Sequence, residues 1–146
     1  MLVYLDTCSI QRPFDDQSQL RVALEAEAVL QLIQLAEQQQ LELLGSEMLL
    51  VETEQNPHAR RRRFALEVIA LAVYTVETSE EIERRARAYD KVGIQPADAV
   101  HLASAVEAEA DAFCTTDDQL LRRGREIDTG STQVLSPIEL IERIES

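Results

Sequence analysis

Four carboxylates stand at positions where an active site could assemble. Asp6 follows directly on the apolar run Leu2-Val3-Tyr4-Leu5 of the opening MLVYLDTCSI. Glu52 lies six residues beyond Ser46, in a helical stretch that follows a second apolar run. Asp98 lies two residues after Pro96, in the first turn of a helix, and Asp117 follows the run Ala112-Phe113-Cys114-Thr115. In an open parallel sheet, sites gather at the carboxyl ends of the strands, and that rule selects these acids by position. Brought together, they would raise one another's pKa unless a cation neutralised them. A hard divalent ion such as Mg²⁺ or Mn²⁺, which prefers oxygen ligands, is the natural partner. Such an ion can activate water and stabilise the charge that builds on a phosphate during transfer.

Each acid also has a plain structural reading. Asp98 could serve only the helix dipole. Asp117 begins a helix for which Thr116 and Gln119 already form a capping box. Glu52 could be a solvated helix residue. Asp6 differs, because with only Thr7 and Cys8 beside it no capping role is evident. Other chemistries find less support. His101 lies one turn after Asp98 and could face the same site, although a lone helical histidine usually packs. His58 follows Asn56-Pro57 and has no partner in the sequence. Cys8 and Cys114 lack a histidine signature and read as small buried residues. Ser9 has no Gly-x-Ser-x-Gly context. The chain has four glycines and no phosphate-binding glycine loop. Asp6 is followed by Thr7-Cys8 rather than x-Asp, which counts against an aspartyl-phosphate enzyme.

The elements that must position these residues alternate between strand and helix. Residues 2–6 read as a buried strand. Leu20, Leu24, Ala28, Leu32 and Leu35 mark a helix over about 18–40. A strand at 41–44 stops at Gly45 and Ser46, and Ser46 caps a helix over 47–54. Asn56-Pro57 breaks the chain before a helix over 58–70. Val73 to Val76 form a strand, and Thr78 with Glu81 forms a capping box for a helix reaching Val92, ended by Gly93. Pro96 opens a helix to about Ala110, with small residues at Ala99, Ala103, Ala105 and Ala108. A strand at 112–115 is followed by a helix from Asp117 to Arg123, closed by Gly124. Thr132 to Leu135 form the last strand, and Ser136-Pro137-Ile138-Glu139 starts a final helix. The alternation implies an α/β sandwich with a mainly parallel sheet.

The 146 residues, 45% hydrophobic, suit one domain, taken here as 1–146. No apolar run is long enough to span a membrane. No secretory signal is visible. Two cysteines are too few for a disulfide framework, and a reduced, cytoplasmic protein is expected. The net charge of −13 argues against nonspecific coating of nucleic acid. Eleven of the 14 basic residues nevertheless fall in three segments, Arg60 to Arg63, Arg84 to Lys91 and Arg122 to Arg125, and 13 of the 14 are arginine. Arginine suits bidentate phosphate contacts. Solvated helix faces explain the clusters equally well.

The segments VYLDTCSI, GSEMLLVETE, PADAVHLASAVEAEADAFCTTDDQLL and VLSPIELIE resemble, in order and spacing, the PIN domain. The resemblance covers essentially the whole chain. It implies a three-layer α/β/α sandwich with a short central sheet and a Mg²⁺- or Mn²⁺-dependent endoribonuclease acting on RNA. Many bacterial members of this size are VapC-type toxins that dimerise and are neutralised by an antitoxin. By the same resemblance Asp6, Glu52, Asp98 and Asp117 are the metal-binding and catalytic acids. Thr7 and Thr115 support them, and Asp118 is an outer candidate. Arg12, Arg60 and Arg61 are candidate phosphate contacts, with Arg12 also able to pair with Asp15 or Asp16. Cys8 and Thr116 depart from the family pattern without removing an acid. A non-catalytic PIN module that binds RNA or protein is the other reading.

Overall fold

In the computed structural model, which describes residues 1–146, five strands form one parallel sheet. The strands are β1 (Leu2–Leu5), β2 (Glu42–Ser46), β3 (Tyr74–Val76), β4 (Ala112–Cys114) and β5 (Gln133–Leu135). Their order is β3-β2-β1-β4-β5 and every neighbouring pair is parallel. Val3 is aligned with Leu43 on one side and Ala112 on the other. β1 is central and buried on both faces, which explains its unbroken apolar run. Tyr4 stacks on Phe113 of β4 with ring centroids 5.4 Å apart.

Eight α-helices connect the strands: α1 (Thr7–Gln11), α2 (Leu20–Glu37), α3 (Glu47–Glu54), α4 (Ala59–Ala70), α5 (Glu80–Lys91), α6 (Pro96–Glu107), α7 (Asp118–Arg125) and α8 (Pro137–Glu145). From β1 the chain steps outward to β2 and β3, then returns past β1 to β4 and β5. Right-handed crossovers in opposite directions place helices on both faces. The result is the three-layer sandwich expected. The reversal falls between β1 and β4, and a crevice opens beyond the carboxyl ends of strands at such a switch point. Asp6 and Asp117 are the acids that follow these two strands.

Several local expectations need correction. The residues after Asp6 form α1, and a turn of 3₁₀ helix follows at Arg12–Phe14. A helix of five residues is too short for periodicity to reveal. Gly45 and Ser46 belong to β2 rather than ending it. Ser46 is both the last strand residue and the N-cap of α3, its hydroxyl accepting from the Leu49 N–H. Ser79, not Thr78, caps α5, and the Thr78 N–H donates to Glu47 instead. Gly124 lies inside α7, where a Cβ would come within 3.1 Å of Val134. That glycine permits close helix–sheet approach rather than a stop. On α2 the buried face carries Ala26, Ala28, Val29, Leu32 and Ile33, while Leu20 and Leu24 are exposed. The spacing is helical, but the face turned to the core is rotated from the one that spacing selected.

Candidate functional site

Asp6, Glu52, Asp98, His101 and Asp117 line one cleft of about 450 Å³ at the switch point. They arrive from four separate parts of the chain: the end of β1, α3, α6 and the start of α7. Asp6 does have a cap role, contrary to expectation. Its Oδ1 accepts from the Ser9 N–H at 2.9 Å and begins α1. Cys8 Sγ donates to both Asp6 oxygens at 3.1 and 3.2 Å. Asp6 is 2% exposed, and burial pushes its carboxyl above the ordinary value despite these donors. Asp117 likewise caps its own helix, Oδ1 accepting from Gln119 and Leu120, so no capping box from Thr116 is needed. Its Oδ2 has no protein partner. Thr115 Oγ1 accepts from the Asp117 N–H at 3.1 Å and so ties the fourth acid to the end of β4.

Glu52 is held most tightly. Its Oε1 accepts from Thr7 Oγ1 at 2.6 Å and meets His101 Nε2 at 2.6 Å. The His101 bond, with the Thr7 bond adding to it, draws the Glu52 carboxyl below its usual range. His101 Nδ1 lies 2.5 Å from the Tyr4 hydroxyl, which lies 2.6 Å from Ser46 Oγ. Burial keeps the Tyr4 hydroxyl protonated. Directions along this buried row follow from donor counting. Leu49 N–H donates to Ser46 Oγ, so the Ser46 proton is free to go to Tyr4. Tyr4 then donates to Nδ1, and Nε2–H donates to ionised Glu52. Every proton in the row finds an acceptor only in this order. The local sequence singled out His101 as a possible site residue by its spacing from Asp98. Its Tyr4 partner lies 97 positions away and gave no local signal.

Asp98 accepts no hydrogen bond from the protein and is pushed up to about 6 by burial first, then by the charge of Asp6, Asp117 and Glu52. Burial is the larger cause, and the neighbouring acids add to it in the same direction. Each acid keeps an oxygen without a strong protein donor, which fits a hard cation. No three of these side chains stand close enough to form a closed cage by themselves. Mg²⁺ commonly takes one or two carboxylates and completes its shell with water and phosphate, so an open arrangement suits it. A pH test follows. Because the folded value exceeds the unfolded 3.8, the Asp98 contribution to stability is fully present below pH 3.8 and is lost as pH rises through about 6. In metal-free protein, the stability advantage of Asp98→Asn over wild type is expected to grow between pH 4 and 7 in thermal melts. A constant difference across that range would contradict the raised Asp98 carboxyl.

Asp118 and the candidate arginines lie outside the acidic cleft. Asp118 is paired with Arg21 through both oxygens, at 2.7 and 2.5 Å, and does not line the cleft. Cys8, pushed up to about 12 by burial, is no nucleophile. Arg12 pairs with Asp15 at 3.0 Å and with Glu25 at 2.9 Å, which is the ion-pair alternative. Arg61 reaches Asp15 at 3.3 Å and lies 5.8 Å over the Phe14 ring. The Arg12–Asp16 segment thus fastens α1 to α2 and α4, leaving Arg60 exposed. Glu25 is 2% exposed, so Arg12→Ala would leave a buried carboxylate with only Arg21 at 3.6 Å. A loss of about 2–3 kcal/mol is expected in denaturant unfolding, with the cleft intact.

The PIN domain family profile matches residues 3–126. The chain belongs to the PIN domain family. A solved structure of similar fold is that of VapBC2 from Rickettsia felis, a crystal structure bound to a DNA fragment from their promoter. It is 12% identical, covers 92% of this chain and 98% of its own, and superposes with a TM-score of 0.55. At that identity the likeness concerns the fold. Comparison with curated proteins finds no significant match. No helix is long and apolar enough to cross a membrane.

Proposed function

We propose that this PIN-family chain is a Mg²⁺- or Mn²⁺-dependent endoribonuclease, the toxin of a type II toxin–antitoxin pair acting in the cytoplasm. The observation that carries the reading is the meeting of Asp6, Glu52, Asp98 and Asp117 in one cleft at the sheet's switch point. These four would hold the ion. When bound, it supplies an activated water and neutralises charge building on the phosphate. The chain's own residues do the rest. Thr7 and His101 saturate Glu52 Oε1 and leave Oε2 turned to the task. The α1 N-terminus and Cys8 fix the Asp6 carboxylate, and the α7 N-terminus fixes Asp117. These contacts hold the acids before substrate arrives, which is what positions a phosphodiester for in-line attack.

The toxin assignment draws on the fold likeness to VapBC2. The exposed Leu20, Leu24 and Leu30 of α2 offer apolar surface for a homodimer or an antitoxin. The alternative, a non-catalytic PIN module, is disfavoured by the completeness of the acid set. The two are separated by incubating purified protein with a panel of structured RNAs. An enzyme cuts in Mn²⁺ and stops in chelator. A binder retains RNA in chelator and shows no turnover.

A further inference from the structure

Beside the acidic cleft lies a second one of about 340 Å³, and Asp98 and Asp117 line both. Arg123 of α7 lines the second cleft, together with Gln95 and Gln119. Its side chain lies across Gly93, which has φ +100° and whose Cβ, if present, would fall 2.3 Å from Arg123 Nη1. The glycine therefore does more than end α5: it leaves the space the guanidinium occupies. Arg123 Nη1 donates to the Val92 carbonyl at 3.3 Å. Nε is buried without a partner. Although Asp98 and Asp117 line the same cleft, Arg123 forms an ion pair with neither. Of its cluster, Arg125 is engaged by Val134 and Glu139, and Arg122 faces solvent.

We infer that this second cleft is a nucleotide subsite in which Arg123 holds the phosphate adjacent to the scissile one. The inference rests on the nuclease reading of the acids. A phosphate bound at Arg123 sits beside the acids without needing to displace an existing ion pair. A planar guanidinium anchored through Nη1, with Nε buried, holds its remaining Nη donors in a fixed orientation suited to phosphate oxygens. The cleft volume is in the range of small-ligand sites, which suits one nucleotide. RNA path and acid site would then be continuous through Asp98 and Asp117.

The test uses the intact protein, a fluorescent single-stranded RNA and anisotropy titrations over a range of salt with Ca²⁺, another oxygen-preferring ion, in place of Mg²⁺, the RNA being checked on gels to stay intact, with cleavage in Mn²⁺ followed separately. Arg123→Gln is expected to weaken RNA binding roughly tenfold and to lower the salt slope by about one. Arg123→Lys, which keeps the charge but not the fork, is expected to keep the slope and lose part of the affinity. Arg122→Gln, in the same helix but outside the cleft, is the control and is expected to match wild type. Melting temperatures of all variants establish that each is folded. Wild-type affinity and slope in Arg123→Gln overturn the subsite even where cleavage stands, and so does absence of RNA binding by wild type. The expected Arg123 effects without any cleavage by wild type sustain the phosphate contact at Arg123 but defeat the nuclease reading and, with it, the placement beside a scissile phosphate.

Discussion

Asp6→Asn is expected to reduce RNA cleavage by roughly a thousandfold or more, while the metal-free variant melts at a higher temperature than wild type. The two effects have one origin. Asp6 is 2% exposed, and burial raises its pKa above the ordinary carboxylate value. The ionised form is thus costly to the empty fold. Asparagine keeps the oxygen that accepts from Ser9 and is an equally good N-cap, so α1 and its packing survive. What it removes is the charge, and with it the best-buried of the four acids around the ion. A residue kept for stability would show the opposite pattern, with activity and melting temperature falling together. Gain of stability on neutralising a functional carboxylate is the usual trade at a strained site. Cleavage gels and thermal melts on the same preparation decide between the two.

His101→Ala is expected to lower cleavage by about 10–100-fold without touching an acid. Its imidazole bridges Tyr4 and Glu52 at 2.5 and 2.6 Å and is 2% exposed. Alanine would leave the Tyr4 hydroxyl and Glu52 Oε1 each short of a partner and open space beside the Tyr4 ring. Tyr4→Phe is the gentler probe. It keeps the stack on Phe113 and deletes the hydroxyl that donates to Nδ1 and accepts from Ser46. A smaller loss of activity is expected, because Nε2–H can still reach Glu52 but its tautomer is no longer enforced. A readout that simple destabilisation would not move is the ¹⁵N NMR pattern of His101. In wild type, Nε2 should be protonated and Nδ1 an acceptor. In Tyr4→Phe that pattern should blur into a mixture. An Nδ1-protonated ring in wild type would reverse the inferred direction of the row.

Much of this site was legible in the sequence because strands and acids lie in register. An apolar run that ends on Asp, and another that ends two residues before Asp117, mark strand ends directly. Pro96 fixed the first turn of α6 and hence the place of Asp98. The sandwich followed from alternation. The misreadings have physical causes. α1 carries no period, and its cap is made to the Ser9 backbone N–H, so the only local sign of it is that Asp6 is itself a favoured N-cap residue. Gly124 looks like a stop unless one knows that Val134 packs against it. Arg12 could not be assigned from local spacing, since its buried partner Glu25 is brought in by the turn around Pro13. His101 drew little weight because a lone histidine has no meaning until Tyr4 and Glu52 arrive from distant segments. Long-range contacts of this kind are the part of a fold that periodicity does not encode.

The four acids that meet in one cleft are expected to hold a divalent ion. Calorimetric or paramagnetic titration of Mn²⁺ into purified metal-free wild type and Asp6→Asn tests it without any substrate. Saturable binding is expected in wild type, at least one ion per chain, weakened at least tenfold in the variant. Equal binding by the two proteins, or none by wild type, would contradict it.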